Sequence, residues 1–457
     1  MTIFWRLGCA TAFALATLSA TRASAQSLPL PADREWTLED VLTSALAQHP
    51  LVEAAQARLA AARGGVVAAG VLQNPVGTVW LENATFPGQG PLAGNGRETS
   101  TYFTLPLEPL FQRKPRVRSA EEAVKAAGAD LIGERRDVAL DIAHAFYRVA
   151  AAQVGLEAAE EQRVAAEELV SYNRKRVDAG ATAELELLRV EVELDRATMN
   201  AALARIDVAR SWADLYAFLG IAQAAILPRG VAAANVPRVR VPDAPAASMS
   251  MNFADLLTRA REQRPEMVAA RARVAAATAH ASYQRTLVIR SLGATLGFKQ
   301  ANGDSTMIAG LSVPLPVFDR NQGDIQRTTN EALAVEKELA WVGLRLEAEV
   351  HGAYDAAQQL SAQAGVRQRS TIDRAADIHR ITLAAYQEGA ASLLQVLDAA
   401  RTLADTRLTY HRTLLAQQQS AFDLAVAVGM EPFPSTSIFH AAPPHLVRGS
   451  ADGGATR

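Results

Sequence analysis

Cysteine is almost missing: Cys9 is the only one among 457 residues. It sits before an amino-terminal apolar stretch, where Arg6 supplies charge, Leu7 to Ser19 are mostly apolar, and Ala23-Ser24-Ala25 precede Gln26. That pattern reads as a secretory leader over residues 1–25, removed with its cysteine. A disulfide framework, a thiolate metal site and a cysteine nucleophile are thereby excluded from the mature chain. Lipid attachment is disfavoured as well, because an acylated cysteine follows the apolar stretch rather than preceding it.

Long apolar runs are also lacking. Beyond residue 25 there is no run of about 18 uninterrupted apolar residues, so no helix there reads as membrane-spanning, and any crossing must use strands. Basic residues show no excess: 46 Lys and Arg stand against 48 Asp and Glu, net −2. Loss of Arg6 and Arg22 with the leader makes the mature chain more acidic still, which excludes nucleic acid as an expected partner. No HExxH, GxSxG, Walker or dinucleotide pattern occurs, and Gly64-Gly65 is only a weak point in a helix. No enzyme activity and no cofactor are read. The histidines are scattered; His144, His280, His351, His379 and His411 have no partners at ligand spacing and read mostly as exposed helix residues, so no resident metal site is expected.

What is present is globular: 49% hydrophobic and 21% charged residues, enough for a large core. The chain is also duplicated. Leu38-Glu39-Asp40-Val41-Leu42-Thr43 matches Phe253-Ala254-Asp255-Leu256-Leu257-Thr258, and the match continues through Gln48/Gln263, Pro50/Pro265 and Arg58/Arg273. Farther on, Phe103–Leu107 faces Leu311–Leu315, Gly180 faces Gly389, Leu185 faces Leu394, and Leu219-Gly220 faces Val428-Gly429. Persisting order and spacing mark an internal repeat. The expected organisation is an N-terminal extension (26–35), a first copy (36–220), a proline-bearing linker (221–251), a second copy (252–429) and a flexible tail (430–457).

Each copy is mostly helix. From Pro115 to about Val177 no proline occurs and Ala, Glu and Arg dominate, which predicts a helix about 90 Å long. After Asp178-Ala179-Gly180, one heptad seam runs through Leu187, Val190, Leu194, Ala197, Ala201, Ala204 and Val208. A second runs beside it through Leu185, Leu188, Val192, Met199, Ala202, Ile206, Ala209, Ala213 and Tyr216. Two seams require neighbours on two sides, as in a ring of helices; a broadly apolar helix of an ordinary bundle is the alternative.

Strands are expected at about 76–86, 98–107, 291–300 and 305–314. The last two alternate cleanly, with Leu296, Phe298, Met307, Ala309 and Leu311 apart from Thr295, Lys299 and Thr306, around a turn at Asn302-Gly303-Asp304. Membrane barrels begin at about eight strands, so four cannot close alone. Either several chains close one barrel, or the strands form a small soluble sheet.

The run Trp36–Pro50 (WTLEDVLTSALAQHP), the turn at Gly180, the turn Tyr386-Gln387-Glu388-Gly389 and the run Leu393–Asp398 (LLQVLD) resemble the TolC-like outer-membrane efflux proteins. Within that family, Pro314–Gly323 (PLPVFDRNQG) is most similar to the outer-membrane subunits of heavy-metal cation efflux systems of the cobalt-zinc-cadmium and copper-silver kind. The resemblance implies a mainly α fold with a transmembrane β-barrel portion: a homotrimer with a twelve-stranded barrel in outer-membrane lipid and a periplasmic α-helical barrel. It implies two further partners, a periplasmic adaptor (membrane fusion) protein and an inner-membrane, proton-driven RND-type pump. On the family's pattern Asp398 is the expected pore constriction, with Gln395 standing where a second acid is common and Ala391 where a basic gate residue can occur. Tyr386 and Glu186 occupy gate positions that link neighbouring helices, and Gly180 and Gly389 shape the turns that meet the adaptor. Rival readings are a conduit for organic compounds or secreted polypeptides, and a soluble periplasmic helical scaffold.

Overall fold

The computed structural model describes residues 35–83, 96–107, 110–220, 238–241, 251–301, 303–363, 366–433 and 438–439. The leader, most of the linker and most of the tail lie outside them.

The duplication is explicit in the element order. The first copy runs β1 (Trp36–Thr37), α1 (Leu38–Gln48), α2 (Pro50–Gly70), β2 (Val76–Glu82), β3 (Glu98–Pro106), α3 (Arg113–Asp178) and α4 (Glu184–Phe218). After β4 (Val239–Arg240), the second runs α5 (Phe253–Gln263), α6 (Pro265–Thr286), β5 (Gly293–Ala301), β6 (Asp304–Ser312), α7 (Gln322–Gln363), α8 (Val366–Gln387) and α9 (Leu393–Ala427).

Local chemistry sets the helix starts in both copies. The Thr37 hydroxyl caps α1 by accepting from the Asp40 N–H (3.2 Å), and Asn252 caps α5 by accepting from Asp255 (2.9 Å). The next helices begin with Pro50 and Pro265, which force His49 and Arg264 into extended backbone and so break each helix pair at one place. These two pre-proline residues also do the same job. His49 Nε2 donates to the Phe218 carbonyl at the end of α4 (3.0 Å), and Arg264 Nη1 donates to the Ala427 carbonyl at the end of α9 (2.8 Å).

Helix α3, with 66 residues, spans about 100 Å and carries the fold from the sheet to the far tip. It packs against α2, α4, α6 and α9. The main core forms where Leu38, Val41 and Leu42 of α1 meet Ile142 and Phe146 of α3, Trp212 and Tyr216 of α4, and Phe422 of α9. A second core joins Leu256 to Leu346, Val350 and Leu424. Nearby, a charged cluster binds the copies together: the buried Arg136 and Arg264 both pair with Glu266 and Glu349.

The segment expected as a flexible tail from residue 430 begins instead as part of the main core. Phe433 and Ile438 are buried there, and the Glu431 carboxylate accepts from the backbone N–H groups of Ile438 and Phe439. Likewise, the linker contains β4, which pairs in parallel with β1 through Trp36↔Val239 and Thr37↔Arg240. In both cases apolar residues and free backbone groups find partners distant in sequence, which proline content does not reveal.

The two hairpins join side by side into one antiparallel sheet, β2-β3-β5-β6, with two open edges. Its register sets Phe103 opposite Leu296, and Phe298 opposite Thr101 and Met307. Phe103, Leu105, Leu296, Phe298, Met307 and Leu311 therefore share one face, each at least half exposed. The other face carries Tyr102, Ser100 and Thr306, the exposed Val76 and Trp80 of β2, and Lys299, whose ammonium lies 2.5 Å from the Glu98 carboxylate. An apolar face left bare is the inverse of a soluble sheet. Among the described residues no helix is long and apolar enough to cross a membrane.

Candidate functional site

Both helical hairpins turn at the end away from the sheet, and both turn in the same way. At the first, Gly180 has φ +69°, with Ala181 N donating to the Arg176 carbonyl and Gly180 N to that of Val177, both at 2.8 Å. At the second, Gly389 has φ +81°, with Ala390 N donating to Ala385 (2.7 Å) and Gly389 N to Tyr386 (3.0 Å). Each is a Schellman motif, which requires the left-handed backbone that glycine adopts without strain. The turn readings for Gly180 and Gly389 thus have a concrete geometry.

The two turns converge. Leu169 and Val170 of α3, Val190 of α4, Tyr386 of α8, and Leu393 and Val396 of α9 form a third core. At its centre the Tyr386 hydroxyl donates to Asn173 Oδ1 (2.6 Å) and lies 3.5 Å from Glu186 Oε2. Glu186 also accepts from the Thr182 hydroxyl (2.7 Å). Arg176 stands over the Tyr386 ring, 5.3 Å from its centroid, and Tyr172 meets that ring edge-on. Burial pushes the Tyr386 hydroxyl above its ordinary pKa, and the neighbouring Glu186 adds to this. The expected pair Tyr386 and Glu186 is brought together, but the shorter bond goes to Asn173, which the sequence reading missed.

Helix α9 begins here with a capping box: Ser392 Oγ accepts from Gln395 N (3.4 Å), and Gln395 Oε1 accepts from Ser392 N (2.8 Å). Gln395 therefore has a structural task beside the constriction position expected of it. Asp398, one turn on, is exposed, and its carboxylate makes no hydrogen bond or ion pair among the described residues. Behind it, Arg401 reaches across to Glu193 of α4 at 2.5 and 3.2 Å, Arg407 pairs with Glu161 of α3 (3.1 Å), and Arg174 of α3 with Glu191 of α4 (2.7 Å). The Arg401 and Arg407 pairs clasp the two hairpins around a small alanine-lined cavity of about 180 Å³, while Arg174–Glu191 ties α3 to α4 within the first.

The first seam of α4 is packed, with Val190, Ala197, Ala201 and Val208 buried against α3 and its neighbours. The second is bare over most of its length, with Leu185, Leu188, Val192, Met199 and Ile206 47–67% exposed, and only its last residue, Tyr216, enters the main core. A chain with one seam filled and one empty, and a sheet with two open edges, is one segment of a closed structure.

The chain matches the model of the family described as outer membrane efflux protein over residues 41–221 and 256–430, once for each copy of the repeat. It belongs to that family. It is accordingly an outer-membrane efflux protein, a channel component rather than an enzyme. It is 26% identical to the cobalt-zinc-cadmium resistance protein CzcC of Cupriavidus metallidurans, over 92% of this chain and 97% of that one. It is 27% identical to the nickel-cobalt-cadmium resistance protein NccC of Alcaligenes xylosoxydans xylosoxydans, over 67% of each. Its fold matches that of the outer membrane protein VceC of Vibrio cholerae with a TM-score of 0.68, at 19% identity, covering 86% of this chain and 96% of that one.

His351 pairs with Asp355 one turn on (3.0 Å) and His144 with Asp423 of α9 (2.9 Å), each a single ion-pair partner rather than a ligand set. Among the described residues no group of three or more His, Cys, Asp or Glu side chains is placed to hold a metal ion.

Proposed function

We propose that three copies of this chain close into a passive conduit through the outer membrane and periplasm, exporting heavy-metal cations handed over by an inner-membrane RND-type pump through a periplasmic adaptor. One observation carries the conduit: a four-stranded sheet with a bare apolar face and two open edges is satisfied only by copies of itself in lipid. The bare second seam of α4 supports the same closure at the level of the helices.

The cargo reading rests on similarity to the two metal-resistance proteins and on the run Pro314–Gly323. In the trimer, three Asp398 carboxylates line the periplasmic entrance. Like charges crowded there attract cations and repel anions. The Tyr386, Asn173 and Glu186 contacts hold the entrance closed, and the turns at Gly180 and Gly389 meet the adaptor.

Planar-bilayer recording from the purified trimer tests the conduit: stepwise conductance is expected under gate-opening conditions, and silence overturns the reading. In a gene-deletion strain, loss of cobalt, zinc and cadmium tolerance supports metal cargo. Unchanged metal tolerance with lost drug tolerance replaces it with organic cargo.

A further inference from the structure

Asp398 and Arg401 are three residues apart on α9, so their side chains stand on one side of the helix within reach of an ion pair. They do not make one. Arg401 instead presents Nε and Nη2 to both oxygens of Glu193, on α4 of the other hairpin, at 3.2 and 2.5 Å. Neighbouring charges are occupied elsewhere, Arg407 by Glu161 and Arg174 by Glu191. Among the described residues Glu193 is the carboxylate that Arg401 binds in place of Asp398. It is also the less exposed partner, at 21% against 48% for Arg401, which favours the fixed geometry over solvent exchange.

We propose that Glu193 is a specificity-determining residue of the channel that acts through Arg401: by holding that guanidinium across the hairpins, it keeps the Asp398 carboxylate out of a direct ion pair and its charge available to the pore. This rests on the reading of Asp398 as the charged entrance. With Glu193 neutralised, the nearest anion left to Arg401 is Asp398, one turn away. Their pairing cancels the entrance charge at each of its three positions, and with it the attraction for cations. Glu193 need not face the pore to set its selectivity.

The test is the reversal potential of the purified channel in a planar bilayer under a potassium chloride gradient, which reads the cation-to-anion permeability ratio. Glu193→Gln is expected to lower that ratio about two- to fivefold, the scale of one exposed ion pair changing partners. Adding Arg401→Gln to it restores the original ratio, because the competitor is gone. Glu193→Asp, which keeps the charge, retains most of the ratio and controls for folding. Selectivity unchanged in Glu193→Gln, or a double variant as poorly selective as the single, overturns the inference. Asp398→Asn separates the two levels: if it leaves the ratio unchanged, the entrance reading itself fails, whereas a shift in Asp398→Asn with none in Glu193→Gln defeats only the role of Glu193.

Discussion

The hydroxyl of Tyr386 donates a 2.6 Å hydrogen bond to Oδ1 of Asn173, and both side chains are buried. The two residues are 213 positions apart and belong to different copies of the repeat, so this bond fastens α8 to α3 just above the turns. Tyr386→Phe keeps the ring contacts with Tyr172 and Arg176 but strands the Asn173 acceptor. The expected cost is about 1–3 kcal/mol. It is read as a lower melting temperature and a larger leak through the closed channel, and an unchanged leak removes Tyr386 from the gate.

The turns offer a cleaner test, because a Cβ added at Gly180 or Gly389 meets nothing within 4 Å and only the left-handed backbone resists it. Gly389→Ala is expected to cost about 1–2 kcal/mol from that conformation alone. Gly389→Asn should cost less and Gly389→Val more. Melting curves in that order support a purely conformational role, whereas equal losses point to a crowded site.

His144 gives α3 and α9 a pH-dependent link. Its hydrogen bond to Asp423 raises the imidazole pKa, against a smaller opposing effect of burial. A raised folded-state value means that the contribution is complete below the unfolded pKa, about 6.5, and fades as pH rises through the folded value. The wild-type protein should therefore lose stability relative to His144→Gln as pH is raised from 6 to about 8. Parallel melting curves for the two over that range would refute the link.

Arg264 is nearly fully buried and holds Glu266, Glu349 and the Ala427 carbonyl at once. Burial pushes the Glu266 carboxyl up, but the Arg264 hydrogen bond and the charges of Arg136 and Arg264 outweigh it and hold Glu266 below the usual carboxylate range. Arg264→Met leaves two half-buried carboxylates with only Arg136 and should cost about 3–5 kcal/mol. Because a depressed carboxyl contributes stability above its unfolded pKa and loses it as pH falls, the deficit of the variant should shrink in acid. Urea unfolding at neutral pH and at about pH 4 measures both. A deficit that grows in acid contradicts the assignment.

Much of this was legible in the residues. The duplicated runs at Leu38–Thr43 and Phe253–Thr258 became α1 and α5, of equal length, because capping and proline punctuation act within a few residues. The strand alternation around Phe298 and Met307 survived as one apolar face because the side-chain period in a strand is two. Glycines at 180 and 389 announced their own backbone angles.

The contacts that join distant segments were not legible in this way. Nothing near Asn173 marks it as the acceptor for Tyr386, nothing near Glu193 marks its hold on Arg401, and the composition after residue 430 hides Ile438 inside the core.

Local periodicity, turn chemistry and repetition therefore established, from the chain alone, a paired set of long helices and hairpins that needs copies of itself to be complete. Which side chains meet across the hairpins was decided only when α3, α4, α8 and α9 packed together. Pairing across helices depends on rotation and register between elements, and a linear pattern of residues carries that only through the fold it produces.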